Sequence, residues 1–416
     1  MPTAHAAARA VFVVFAASGF AFASWASRLP AVRDGLSFSE QEMGLLLLTG
    51  SLGSVAAIPL SGLVAERFGT ARTVVAFAGV LVIGLAVAGY GVVTDEHLAV
   101  RLGLILFGVG AGVWDAAMNL EGAAVEQRLG RAVMPVFHAG FSFGTVLGAG
   151  LGALVATLGV EVVWHIVAAG GLALVSVLIA VRYFSPSVVS AAVPHGVPVA
   201  EAGSADGADP GAVTPPTSGI AGLIAAWREP RTLAIGLVVL AAALTEGVAN
   251  DWVSLAVVDG FGTSDGMGAV GLAVFLTAMT TARLAGTRAI DRFGRVPVLV
   301  LSALLAFVGV LTFSLVPVLW LALVGVGLWG LGAAMGFPMG MSAASDEPRR
   351  AAMRVAAVST IAYTAFFVGP PLIGFVAQAT GYRLAVLVLL EPMALGLIVA
   401  RSLRPLPTAA GVQQPR

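Results

Sequence analysis

The sequence predicts an all-α membrane protein of twelve transmembrane helices in two pseudo-symmetric six-helix bundles, and three observations carry that prediction. Of its 416 residues 58% are apolar and only 11% charged, with a mean hydropathy of +0.97, whereas a soluble domain carries roughly 25% charged residues. Apolar stretches of about 20 residues, the length that crosses about 30 Å of hydrocarbon as helix, recur twelve times. The second six echo the first six in order.

Taken along the chain, the stretches cover residues 10–29, 41–64, 73–93, 98–120, 133–158 and 162–183, then 232–258, 268–290, 296–315, 318–343, 353–378 and 384–403. In lipid an unpaired backbone is too costly, which leaves helices or a closed barrel, and the length and lack of alternation select helices. The first stretch, Ala10 to Trp25, has no small-residue cleavage pattern behind a short core and reads as a span, not a removable signal. Ser39 with Glu42 three residues on is a capping box for the second span. The one long connection is rich in Pro, Gly, Ala and Ser, and Glu201 to Pro216 reads as disordered. After it, Ile220, Leu223, Ile224 and Trp227 recur at helical spacing and predict a short amphipathic helix at the membrane interface. The expected divisions are an N-terminal bundle over 1–184, a linker over 185–230, a C-terminal bundle over 231–404 and a disordered tail over 405–416.

All 22 basic residues are arginine, and their placement orients the chain. Seventeen fall on one side of the membrane when the separators are sorted by parity: Arg9, Arg67, Arg72, Arg128, Arg131, Arg182, Arg228, Arg231, Arg288, Arg292, Arg295, Arg349, Arg350, Arg354, Arg401, Arg404 and Arg416. The other side holds Arg28, Arg33, Arg101 and Arg383, and Arg283 lies within a span. The positive-inside rule then predicts an even number of spans with both termini in the cytoplasm. With zero net charge, nothing global steers the chain toward nucleic acid.

The absence of cysteine excludes disulfides, thiolate metal sites and a cysteine nucleophile. The five histidines, at 5, 97, 138, 165 and 195, have no metal-ligand spacing, so neither metal nor cofactor is expected. Gly140-Phe141-Ser142-Phe143-Gly144 has the form of a nucleophile elbow, but that motif needs a strand-to-helix turn and here lies inside a helix. No enzymatic site follows.

The halves repeat residue by residue. Glu66-Arg67-Phe68-Gly69 matches Asp291-Arg292-Phe293-Gly294 at an offset of 225, and Ser39 matches Ser264 at the same offset. Gly108-Val109-Gly110-Ala111 matches Gly330-Leu331-Gly332-Ala333 at 222, as Gly152 and Gly159 match Gly374 and Gly381; Trp25-Ala26-Ser27 matches Trp252-Val253-Ser254 at 227. Such ordered offsets mark a six-plus-six duplication.

The segment Gly62-Leu63-Val64-Ala65-Glu66-Arg67-Phe68-Gly69-Thr70-Ala71-Arg72 resembles the loop signature of the major facilitator superfamily, with Thr70 and Ala71 where basic residues are usual. Trp114-Asp115-Ala116-Ala117-Met118-Asn119, Phe137-His138-Ala139-Gly140-Phe141-Ser142 and Gly336-Phe337-Pro338 resemble its fucose-permease-like branch of sugar and polyol carriers. The resemblance implies the major facilitator fold, with the first, fourth, seventh and tenth spans lining a central cavity. It also implies that the solute is a small molecule, a sugar or polyol; the expectation is a monomer in the bacterial cytoplasmic membrane that works by alternating access with protons as the coupling ion.

Within that frame, charges inside spans are site candidates, because lipid alone does not accommodate them. Asp115 and Asn119 lie one turn apart on the fourth span; Glu246 and Asn250 do so on the seventh, with Asp251 adjoining. A carboxyl in apolar surroundings can bind and release a proton near neutral pH, so Asp115 and Glu246 are candidates for proton coupling. The alternative is a static pair with Arg283, itself a candidate to hold solute or to brace the loop network. His138 could relay protons or simply pack, and Trp25 and Trp252 could stack on a sugar ring or pack. In the loops, Gly62, Glu66, Arg67, Gly69 and Arg72 with Asp291, Arg292 and Gly294 form a conformational motif whose acids tie neighbouring helices in one state only. Two other functional classes stay open. Drug or metabolite efflux antiporters often carry Gly-Pro in the fifth span, where this chain has Gly148-Ala149; its Gly369-Pro370 is in the eleventh. A sensor that no longer transports is the third class.

Overall fold

The structure, a computed structural model, describes residues 3–130, 133–184, 225–347 and 350–404. Twelve helices among them are long and apolar enough to cross a membrane. They are Ala4–Ala26, Glu40–Phe68, Thr70–Thr94, His97–Leu129, Met134–Thr157 and Val162–Tyr183, then Pro230–Phe261, Asp265–Gly286, Arg295–Leu315, Leu319–Ala344, Met353–Thr380 and Tyr382–Leu403. A short helix, Leu29–Gly35, joins the first two spans. The expected disordered linker, most of the amphipathic segment and the C-terminal tail lie outside the described residues, although residues 225–228 are helical.

Local chemistry sets the helix ends. Ser39 closes the capping box: its hydroxyl accepts from the Glu42 amide, and the Glu42 carboxylate accepts from the Ser39 amide at 2.9 Å. Ser264 caps the eighth span with half of that arrangement: its hydroxyl accepts from the Met267 amide, and no acid among the described residues returns the bond. Gly69 ends one helix and starts the next with φ +82°, and Gly294 repeats the turn with φ +82°. A side chain is strained in that conformation, which is why both loops carry glycine.

Packing repeats as the sequence does. The third span lies on the fourth as the ninth lies on the tenth, the first on the fifth as the seventh on the eleventh, and the second on the fourth as the eighth on the tenth. Gly140, Gly144, Gly148 and Gly152 recur every four residues on the fifth span, and this glycine stripe explains the closeness of its approach to the first. A Cβ at Gly144 would stand 2.0 Å from the Ala16 carbonyl oxygen, and one at Gly148 2.5 Å from that of Phe20. Small residues of this kind let helix backbones approach where lipid supplies no hydrophobic drive.

The two sets of six meet through the second and eleventh spans and through the fifth and eighth. Both contacts lie toward the arginine-poor face. A Cβ on Gly44 would come within 2.7 Å of the Pro370 oxygen, one on Gly374 within 2.7 Å of the Glu40 oxygen, and one on Gly266 within 2.3 Å of Thr157 Oγ1. Gly62, Gly69 and Gly294, at the arginine-rich face, have nothing within 4 Å of a Cβ position.

Candidate transport site

The arginine-poor face is closed by side chains from both sets. Arg33 on the connecting helix donates to Asp259 at the end of the seventh span and to Asp34 beside it. Burial works against the Arg33 charge, but the bonds to Asp259 and Asp34 outweigh it and hold the guanidinium above its ordinary pKa. Arg33 also lies over the Tyr382 ring, 5.9 Å from its centroid. Ser254 donates to the Ala26 carbonyl at 3.4 Å, and the Gln41 amide to Gln378 Oε1 at 3.4 Å. Arg28 is buried and donates to the Val160 carbonyl at 2.7 Å; burial lowers its pKa, against the attraction of Asp265.

Deeper in, polar groups of both sets open on the space between them. Asp115 is exposed there, and the Asn119 amide donates to its backbone carbonyl at 2.8 Å and to its carboxylate at 3.3 Å. Its charge acts on Tyr363 of the eleventh span, which is also exposed. Glu246 is paired: Arg283 Nη2 lies 2.8 Å from its Oε2. Arg283 further reaches the Ala334 carbonyl at 3.5 Å, where the tenth span breaks between Ala333 and Gly336 and leaves backbone acceptors free. From the opposite set, the exposed His138 feels the Arg283 charge and packs edge-on against Phe15. The structure thus joins Asp115 with Asn119 and Glu246 with Arg283. Across the interface it brings His138 toward Arg283 and Tyr363 toward Asp115.

Other expected site residues sit elsewhere. Trp25 is buried against Phe107 and Trp252 is wholly buried against Tyr382, their centroids 6.3 and 5.2 Å apart. Neither indole offers a face for stacking a sugar, because each fills a gap between helices of its own half. Asn250 has a buried Oδ1 without a partner, and Asp251 is half-buried with no hydrogen bond or ion pair among the described residues. The expected ties of the loop motif are also absent here. Glu66, Arg67, Asp291 and Arg292 are exposed and make no ion pair among the described residues. The residue after each loop glycine is bonded instead. Thr70 donates to the fully buried Glu121 at 2.6 Å, and Arg295, at the equivalent place, to Asp346 at 2.6 Å.

Sequence reasoning passed over Glu121, Tyr363 and the Arg33–Asp259 pair. Glu121 is an acid inside a span, the same signal that singled out Asp115. Tyr363 lies on a polar run with Ser359, Thr360 and Thr364. Nothing in the sequence joins Arg33 to a residue 226 positions away.

Known proteins resemble the chain over nearly its whole length. A transporter of Sinorhizobium fredii of uncharacterised function is 31% identical over 381 residues, covering 90% of this chain and 92% of its own. The nucleoside transporter NupG has the same fold with a TM-score of 0.71 at 15% identity, covering 95% of this chain and 98% of its own. The E. coli fucose:proton symporter FucP, in a single-substitution form, scores 0.55 at 14% identity, covering 94% and 98%. The family model of the Major Facilitator Superfamily matches residues 11–285 and 235–416, and with the twelve-helix fold above it places this chain in that superfamily of membrane transporters.

Proposed function

We propose that the protein carries a small polar solute, a sugar or polyol, across the bacterial cytoplasmic membrane by alternating access, as a monomer driven by protons. The carrying observation is the asymmetry of the interface: it is sealed at the arginine-poor end, while acids and bases of both halves open on the space beneath. The positive-inside rule makes the arginine-rich end cytoplasmic, with both termini there, so this is an inward-open state. Two bundles that rock about a shared mid-membrane site have this form.

Asp115 is the proton carrier in this reading. Its carboxylate has no cation within bonding distance among the described residues, so it has least to lose on protonation. Glu246 instead balances Arg283, and a proton on Glu246 releases the guanidinium to hold solute hydroxyls. Asn119 supplies a further hydrogen bond, and His138 relays the proton. The fucose and nucleoside carriers that share this fold set the substrate classes to test first.

The test is a solute-induced pH change in proteoliposomes across a panel of sugars, polyols and nucleosides. Asp115→Asn and Glu246→Gln each abolish proton movement; coupling at the wild-type level in both variants overturns the assignment.

A further inference from the structure

Outside the central space, one feature of the molecule is not absorbed by transport through it. The twelfth span presents Leu395 and Ile398 outward, at 43% and 75% exposure, and Glu391 lies on the same face, one turn and two turns before them. This is the lipid-facing stripe of a membrane helix, and Glu391 is exposed on it with no hydrogen bond or ion pair among the described residues. It stands nine residues in from Tyr382, roughly 14 Å along the helix, which is near mid-membrane.

Beside it runs a groove of about 260 Å³ between the seventh, eleventh and twelfth spans, lined by Leu240, Leu244, Val248, Gly369, Leu372 and Leu395, with Glu391 as its one charged group. The groove has a local cause. Gly369 supplies no side chain, Pro370 and Pro371 lie inside the eleventh helix and offer only short rings beside it, and residues Val386–Leu389 tighten into a 3-10 turn just before Pro392.

An acid in hydrocarbon is retained where something pairs with it. The walls are aliphatic, one end is anionic, and the volume falls just short of the roughly 300 Å³ at which sites for drug-sized ligands begin. We propose that this groove is a membrane-facing binding site for single-chain lipophilic cations, alkylamines or alkyl quaternary ammoniums. The chain lies along the leucines and the cationic head meets Glu391. The site is separate from the solute path and does not depend on which solute the central cavity carries.

The test uses the full chain in lipid nanodiscs and dicyclohexylcarbodiimide, which modifies carboxyls reached from hydrocarbon, with modified peptides assigned by mass spectrometry. Glu391 is modified in the wild type, and Glu391→Gln removes that peptide adduct. Dodecyltrimethylammonium slows the modification about tenfold, the effect of one desolvated charge pair, whereas dodecanol at the same mole fraction does not. Leu240→Trp fills the groove, leaving Glu391 reactive and abolishing the protection. An unmodified Glu391, equal protection by dodecanol, or protection that survives in Leu240→Trp overturns the proposal. The dodecanol arm decides the matter even if the tryptophan variant fails to fold.

Discussion

Replacing Asp259 with asparagine removes the charged bond that ties the connecting helix of one half to the seventh span of the other. The Arg33 side chain is 13% exposed and that of Asp259 32%. A fully exposed ion pair is worth about 0.2–1 kcal/mol and a hydrogen bond to a charged group about 1.5–3 kcal/mol. With one partner a third exposed, the contribution to closure is about 1–2 kcal/mol, screened in part by solvent. Arg33 keeps Asp34 whether the halves touch or part, so only the cross-half bond is lost. At about 1.4 kcal/mol per decade, the ratio of open to closed arginine-poor faces rises roughly 5- to 30-fold. Because the chain has no cysteine, Gln41→Cys and Gln378→Cys give a clean spin-label pair across the seal. In that background Asp259→Asn populates a longer distance, the charge swap Arg33→Asp with Asp259→Arg restores the short one, and Asp34→Asn leaves it in place. An unchanged distribution in Asp259→Asn, or an equal change in Asp34→Asn, refutes the latch.

Two further outcomes follow from packing and from the arginine-rich face. Gly144→Ala puts a methyl group 2.0 Å from the Ala16 oxygen, whereas Gly150 on the same helix has nothing within 4 Å of that position. Thermal unfolding of the purified variants separates them: Gly144→Ala loses roughly 2–3 kcal/mol or fails to assemble, and Gly150→Ala stays within roughly 1 kcal/mol of wild type. At the other site, Arg354 is 4% exposed and holds Glu229 through bonds of 2.7 and 2.6 Å. Burial pushes the Glu229 carboxyl up, but the bonds from Arg354 and Thr232 outweigh it and hold its pKa below the usual carboxylate value. A depressed carboxylate pKa stabilises the folded state above the unfolded value, roughly pH 4.3, and that stability is lost as pH falls through the folded value. Glu229→Gln therefore lowers the melting temperature at pH 7, and the gap from wild type closes as the pH is brought below about 4. A gap that persists in acid shows that the loss is one of shape and not of charge.

Much of this was legible before any coordinates. Span number, capping at Ser39 and Ser264, the loop turns at Gly69 and Gly294 and the smooth glycine face of the fifth span follow from hydropathy, local hydrogen bonding and residue size. These are properties of one helix or one turn at a time. The roles assigned to side chains fared differently because helical spacing says which residues share a face, not what stands opposite. Glu246 and Asn250 share a stripe, yet Glu246 is bound to Arg283 of the neighbouring helix while Asn250 is left with a buried oxygen. Trp25 and Trp252 occupy repeated positions in the sequence, and both turn inward to fill their own half.

The sequence by itself determined that the chain crosses the membrane twelve times in two related sets, because the cost of an unpaired backbone in lipid and the arginine asymmetry leave no other arrangement of these residues. Only the tertiary structure decided which face is sealed, that the loop acids stand free, and that Arg33 meets a residue 226 positions away. The rotation and approach of packed helices depend on contacts between distant segments, and those contacts are set by the assembled helices together.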